Sequence, residues 1–312
     1  MKKNVISTVL LISFCISISK AQPKIADGQL LRFFEFPSAY LDTQQVDIWL
    51  PNDFKPQEKH NLLYMLDGQM LFDSTDTWNH QCWDVDDIAS RLIQQDSIPP
   101  LIIVAIHSQP ATRRANYFPQ TPFANLNLVE KDSVQVQFKR TKLALEEFKP
   151  NSDNFLKFIT KELHPFITNR YLTHKEASHT AICGSSMGGL ISLYAICEYP
   201  EIFGKAACIS THWLGGHSTA NNPLPQAFFN YLKEKLPNPQ SHSIYFDCGD
   251  QSLDAYYPPY QREVDKIMKE KGFTELNWKS LYFPGMAHNE TSWKSRFNIV
   301  LRFLFEEDKT KY

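Results

Sequence analysis

Residues 179–200, HTAICGSSMGGLISLYAICEYP, pass from an apolar run of strand length, through a knot of glycine and serine, into an apolar run of helical length. A tight turn between two buried elements leaves little room for side chains, and here Gly184 and Gly188 bracket Ser186 in a G-x-S-x-G pattern. Both glycines are expected where a side chain would collide with neighbouring backbone. Ser186 then stands at the apex of a strained nucleophile elbow, its hydroxyl lifted clear of the sheet edge. The helix behind it aims the partial positive charge of its N-terminus at any oxyanion forming beside that hydroxyl. A phosphate-binding turn would use glycines too, but G-x-G-x-x-G and the P-loop lysine are both absent.

The rest of the chain supplies the context such a turn needs. Eight apolar runs of strand length recur, at 31–36, 46–50, 62–66, 101–106, 179–183, 205–209, 243–248 and 279–283. From the third onward they are continuously apolar, as strands covered on both faces are. Helical periodicity falls between them at 151–170, 187–199, 259–272 and 291–306. Strands alternating with helices predict an α/β fold, a mainly parallel, doubly wound eight-stranded sheet with helices on both faces. The first two runs lack room for a crossover helix and should form an antiparallel edge. Two long connections, 107–150 and 210–242, read as lids or binding loops.

A serine hydroxyl needs a base at neutral pH. His288, in FPGMAHNETSW, is the histidine that lies after the last strand and before the closing helix, where the chain order serine, acid, histidine requires it. The acid should follow the seventh strand, SIYFDC, where GDQSLD offers Asp250 and Asp254. Asp254 is favoured on reach, with Asp250 in reserve; Asp247 lies inside the strand and is the poorer candidate. One oxyanion donor is the backbone N–H of Met187. The other is expected from the loop after the third strand, LLYMLDGQMLF, where Gly68 allows a bend that turns the N–H of Gln69 to the same point. Asp67 either contacts a hydroxylated substrate or stabilises its own turn. His212 and His217, in THWLGGH, are expected to line the pocket rather than bind metal.

In this order, YMLDGQMLF, W-DV at 83–85, RRANYFP, GSSMGG, STHW and GMAH resemble one branch of the α/β hydrolases. That branch holds esterase D, feruloyl and acetyl xylan esterases, enterochelin esterases and antigen-85-like mycolyltransferases. The resemblance covers nearly the whole chain after its first residues. It implies an α/β-hydrolase fold and a triad of elbow serine, acid after the seventh strand and histidine after the eighth. Those roles fall on Ser186, Asp254 or Asp250, and His288, and the second oxyanion donor on Gln69.

The expected activity is hydrolysis of a carboxylic ester through an acyl-serine, without metal or organic cofactor. An acyl group on a carbohydrate is the favoured substrate, with Trp213 and Trp293 as candidate stacking surfaces; acyl transfer to a sugar hydroxyl, siderophore-ester hydrolysis and a non-catalytic carbohydrate-binding protein are the alternatives. A formal net charge of −2, from 32 basic and 34 acidic side chains without blocks of either sign, argues against nucleic acid as a partner. The start, MKKNVISTVLLISFCISISKAQPK, has the lysines, short apolar run and small-x-small site of a secretory signal peptide over residues 1–21. Cleavage before Gln22 would leave a single domain, 22–312, secreted or periplasmic, with no stable membrane insertion. Cys82, Cys183, Cys197, Cys208 and Cys248 sit in or near apolar runs and read as buried free thiols.

Overall fold

The structure, a computed structural model, describes residues 23–306 except 76, 145, 217 and 218. The expected signal peptide and His217 therefore lie outside the described residues. Eight strands follow: β1 Gln29–Phe36, β2 Gln44–Leu50, β3 Asn61–Leu66, β4 Leu101–Ile106, β5 Thr180–Ser185, β6 Lys205–Ile209, β7 Ser243–Cys248 and β8 Trp278–Tyr282. The α-helices are α1 Val85–Gln94, α2 Arg113–Tyr117, α3 Gln120–Ala124, α4 Leu128–Arg140, α5 Ser152–Lys157, α6 His164–Arg170, α7 Met187–Glu198, α8 Leu224–Lys235, α9 Pro258–Glu270 and α10 Glu290–Phe305.

All eight strands form one sheet in the order β1-β2-β4-β3-β5-β6-β7-β8. β1 pairs antiparallel with β2, and β2 antiparallel with β4, while every pairing from β4 onward is parallel. This is the expected parallel sheet with an antiparallel edge. The apolar runs predict the gradient of burial: β3, β4 and β5 are buried at every position, whereas the edge strands β1 and β8 are largely half-buried or exposed.

Alternate residues of each central strand feed two cores. Leu62, Tyr64 and Leu66 pack with Leu190 and Tyr194 of α7 and with residues of α5, α8 and α9. Leu63 and Met65 face the other way, against Val85 and Ile88 of α1 and Phe297, Val300 and Leu301 of α10. Helix α7 is apolar on every side and buried at eleven of its twelve positions, so it is clamped rather than merely docked. That clamp fixes the turn at its N-terminus.

The long connections differ from the expectation of loops. Residues 107–150 carry α2, α3 and α4, and 210–242 carry α8. Their aromatic residues are core: Phe118, Phe138, Phe148 and Phe228 are buried and mutually packed. Their flanks are polar and rich in proline, and their buried aromatics follow tertiary packing rather than an amphipathic repeat. The stretch expected as one helix, 151–170, is interrupted by a π-turn at Phe158–Leu163. Pro165, two residues on, has no N–H to continue an α-helical ladder. All five cysteines among the described residues are free and buried, as expected.

Candidate active site

β5 ends at Ser185 and α7 starts at Met187, which leaves Ser186 alone in the turn with φ 59° and ψ −121°. A non-glycine residue held there costs about 1–3 kcal/mol, and such strain persists only where the surroundings over-determine it. They do: the Ser186 N–H donates to Ile209 O at 2.9 Å, and its carbonyl accepts from His212 N at 3.1 Å and Leu190 N at 3.2 Å. A Cβ on Gly184 would lie 2.7–2.9 Å from the backbone of Gly188. Gly188 itself departs from expectation, since a Cβ there would meet only an ordinary contact, 3.6 Å from Asp67 Oδ2. The crowding belongs to Gly184. Gly184→Ala is therefore expected to lower unfolding free energy by about 1–3 kcal/mol through overpacking, and Gly188→Ala by clearly less; urea denaturation of the two variants compares them.

The turns after β7 and β8 meet next to this elbow. Asp254, fully buried in the short helical turn Ser252–Tyr256, places Oδ1 2.6 Å from His288 Nδ1. Its Oδ2 accepts from Gly249 N and Ser210 Oγ, both at 2.7 Å. Ser210 Oγ accepts in turn from Trp293 Nε1 and Arg296 Nη2, both at 2.9 Å. Arg296 is clamped by Asp247, Nε to Oδ2 at 3.0 Å and Nη2 to Oδ1 at 2.8 Å. A chain of buried bonds thus runs from the core to the carboxylate against His288. Asp247, the poorer candidate, anchors that chain.

Asp250 accepts from Gln251 Nε2 at 2.8 Å, Tyr282 Oη at 2.9 Å and Gly285 N at 2.8 Å. These bonds, that from Gln251 foremost, hold its carboxyl below the usual range. Its place is to pin the loop that carries His288. The same loop is tied by Asp250 N and Gln251 N, which both donate to Met286 O, and by His288 N, which donates to Ser252 Oγ at 2.9 Å.

The loop after β3 turns at Asp67, whose backbone is left-handed at φ 57° and ψ 48°. The bend expected at Gly68 is thus one residue earlier. Gly68 is required for another reason, because a Cβ there would stand 2.7 Å from His107 and 3.0 Å from the backbone ending β4. Gln69 lies in the turn Gly68–Met70, with its side chain locked to Ser108 by bonds of 2.8 and 3.0 Å. In that turn Met70 N bonds Asp67 O, so the N–H of Gln69 precedes the first internal bond, as the N–H of Met187 does in α7. Asp67 forms a two-pronged ion pair with Arg113, both contacts at 2.7 Å. Burial would raise its pKa, but Arg113, with Ser108 and Tyr117, outweighs that and holds it low. Through this pair Asp67 ties the loop after β3 to α2.

Both tryptophans depart from expectation. Trp213 is 1% exposed, packs on Phe229 and Phe246, and donates to Gln261 Oε1 at 3.1 Å. Trp293 is buried between Trp83 and His288, holding the edge of the imidazole at 5.0 Å between ring centres. Neither offers a face to a sugar. His212 is also buried, with Nδ1 2.7 Å from Tyr257 Oη. Tyr257 is a residue the sequence reading missed: its hydroxyl lies beside the Ser186 side chain, and its ring packs edge-on against His288 at 5.7 Å. Burial pushes its pKa far up, so the phenol stays neutral. Ser210 and Arg296 were missed too, since no local pattern marks a residue whose partner lies decades away in sequence.

Residues 39–303 match the family model described as "Putative esterase". The chain belongs to this family. It is 24% identical over 255 residues to "Uncharacterized protein YbbA" of Bacillus subtilis (strain 168), covering 80% of this chain and 86% of that one. It is 25% identical over 156 residues to the "Endo-1,4-beta-xylanase/feruloyl esterase" of Xylanibacter ruminicola, covering 50% of this chain and 18% of that longer protein. Among solved structures, a ferulic acid esterase superposes with TM-score 0.63 at 17% identity, over 89% of this chain and 98% of that one. The fold is that of the α/β hydrolases, and the esterase is a carboxylic ester hydrolase. Among the described residues no helix is long and apolar enough to cross a membrane.

Proposed function

We propose that this esterase is an exported serine hydrolase that removes an acyl group from a carbohydrate alcohol through an ester on Ser186. Ser186 Oγ attacks the substrate carbonyl as its proton passes to His288 Nε2. The N–H groups of Met187 and Gln69 hold the oxyanion, and the ester C–O bond breaks as His288 returns the proton to the departing alcohol. Water then attacks the acyl-serine with His288 again as base, which frees the acid and restores the hydroxyl. Asp254 stays ionised, keeping the proton on Nδ1 and stabilising the imidazolium. The observation that carries this reading is the 2.6 Å contact between His288 and Asp254, adjoining the strained turn of Ser186. Serine-to-histidine bonds commonly tighten only with substrate bound.

The carbohydrate assignment is supported by the feruloyl esterase relative and by two exposed aromatics on the histidine side of the elbow. Trp78 is 83% exposed, in a loop tied to the start of α10 by Asn79 Nδ2 donating to Glu290 Oε2 at 2.7 Å. Tyr256, 53% exposed, ends the turn that holds Asp254. Each offers a ring face of the kind that Trp213 and Trp293 lack. Losing one aromatic contact worth about 0.5–1.5 kcal/mol should raise KM for a feruloylated sugar about 2- to 10-fold in Trp78→Ala or Tyr256→Ala. Turnover of p-nitrophenyl acetate, which carries no sugar, should not change.

The test is a hydrolysis screen across p-nitrophenyl acetate, longer acyl esters, feruloyl sugars, acetylated xylan and a siderophore trilactone. Preference for feruloyl or acetyl sugars supports the proposal, and preference for the trilactone transfers the assignment to siderophore esters. No turnover of any ester contradicts the mechanism as well as the substrate. Export is tested separately: the mature protein recovered outside the cytoplasm should begin at Gln22.

A further inference from the structure

At the end of β5 remote from Ser186, about 20 Å away along six residues of strand, the connection from α6 runs Thr173-His174-Lys175-Glu176-Ala177-Ser178-His179. We propose that His174, Glu176 and His179 form a binding site for one divalent transition-metal ion of zinc-like character. One donor atom from each lies within 4.8 Å of the other two. A tetrahedral ion with bonds of about 2.1 Å brings its donors to about 3.4 Å of one another, so side-chain rearrangement completes the set.

The backbone that carries these groups is held by the sheet. Thr173 bridges to His60, and His174 N donates to His60 O at 3.2 Å, which fixes the chain beside the start of β3. His179 N donates to Glu176 O at 3.0 Å, closing the turn on which both donors sit, and Gly204 N holds Ala177 O at 2.8 Å. Asn61, buried at the head of β3, places Oδ1 2.6 Å from His179 Nδ1. That contact is the outer support a metal-bound histidine commonly has: it directs the ring.

The imidazoles of His174 and His179 are stacked, 3.9 Å between centres and 14° from parallel. In that arrangement their lone pairs run side by side rather than converging. Binding opens the stack by rotation about His174 χ2, a soft torsion, while Asn61 keeps His179 in place. Two imidazoles and one carboxylate suit zinc, nickel or copper far better than calcium or magnesium, which prefer oxygen donors throughout. The ion would staple the connection between α6 and β5 and take no part in the esterase chemistry. The two sites are independent, and turnover serves as the report of an intact fold.

The experiment is calorimetric titration of the full tag-free mature chain, stripped with chelator, using zinc alone and then cobalt as a spectroscopic substitute. One equivalent of zinc should bind at sub-millimolar concentration and raise Tm, and bound cobalt should give visible d–d bands. His174→Ala and His179→Ala should each weaken binding at least 10-fold and abolish the cobalt bands, and Asn61→Ala should weaken it by about 10-fold. Glu176→Gln, a change at an exposed position that leaves packing alone, should also weaken it. Turnover of p-nitrophenyl acetate should be the same in all four variants, with and without metal. Absence of binding by the folded, active protein overturns the proposal. So does stoichiometric binding that survives loss of either histidine.

Discussion

Asp254→Asn should lose about 10^4 in kcat, the cost of the wrong histidine tautomer in well-studied serine proteases. The structure gives the reason in this chain. Asp254 Oδ2 accepts from Gly249 N and Ser210 Oγ, so an amide at 254 is oriented by those two donors with its oxygen toward them. Its NH2 then faces His288 Nδ1, where Oδ1 now stands at 2.6 Å. An imidazole that accepts at Nδ1 carries its proton on Nε2 and cannot take one from serine. Asp250→Asn is a different change, since an amide oxygen in the place of Oδ1 still accepts from Gly285 N, and its NH2 in the place of Oδ2 can donate to Tyr282 Oη. Its loss in kcat should be slight. Steady-state kinetics on p-nitrophenyl acetate, with circular dichroism to confirm folding, separates the two. A dead Asp250→Asn beside a near-normal Asp254→Asn would reverse the assignment.

Ser186→Ala should have the larger effect, a loss in kcat of about 10^6, the scale seen when a triad nucleophile is removed. The hydroxyl lies at a half-buried apex beside Tyr257 and fills no core position, so Tm should change little. Ser185 makes the contrast: it is 6% exposed and completes β5, paired with Ile209. Ser185→Ala should affect stability more than turnover. Kinetics and thermal unfolding of both variants check this, and an inactive Ser185→Ala with an active Ser186→Ala would remove the elbow from the mechanism.

What could be read in the sequence, and what could not, follows from the range of each interaction. The elbow is local: glycine spacing, strand and helix occupy one continuous stretch, and the backbone at Ser186 has the positive φ such a turn requires. The sheet was legible because continuous apolar runs mark strands buried on both faces, and β4, β6 and β7 occupy the residues expected. His288 could be located by its position between β8 and α10. Which acid meets it was a question of reach, and the turn Ser252–Tyr256 carries Asp254 inward while Asp250 stays at the strand end.

The misses are residues whose role depends on distant partners. Trp213 and Trp293 look like sugar platforms when only their neighbours in sequence are known, yet Gln261, Phe246 and Trp83 bury them. Ser210 and Arg296 support Asp254 across 44 and 42 positions of sequence, with no motif to announce it. Helices α2, α3, α4 and α8 hide in stretches rich in proline and asparagine because their buried aromatics are spaced by tertiary packing rather than by an amphipathic repeat.

The central claim is that an acyl group is carried on Ser186 Oγ while His288 and Asp254 move and hold the proton. Mass spectrometry after reaction with a fluorophosphonate, which traps an activated serine, tests it most directly. One equivalent should add to the peptide spanning Gly184–Gly188 at Ser186, in step with loss of esterase activity. Labelling should be absent in Ser186→Ala and slowed by orders of magnitude in Asp254→Asn. Stoichiometric labelling of a different residue, or full activity in protein already labelled at Ser186, would contradict the account.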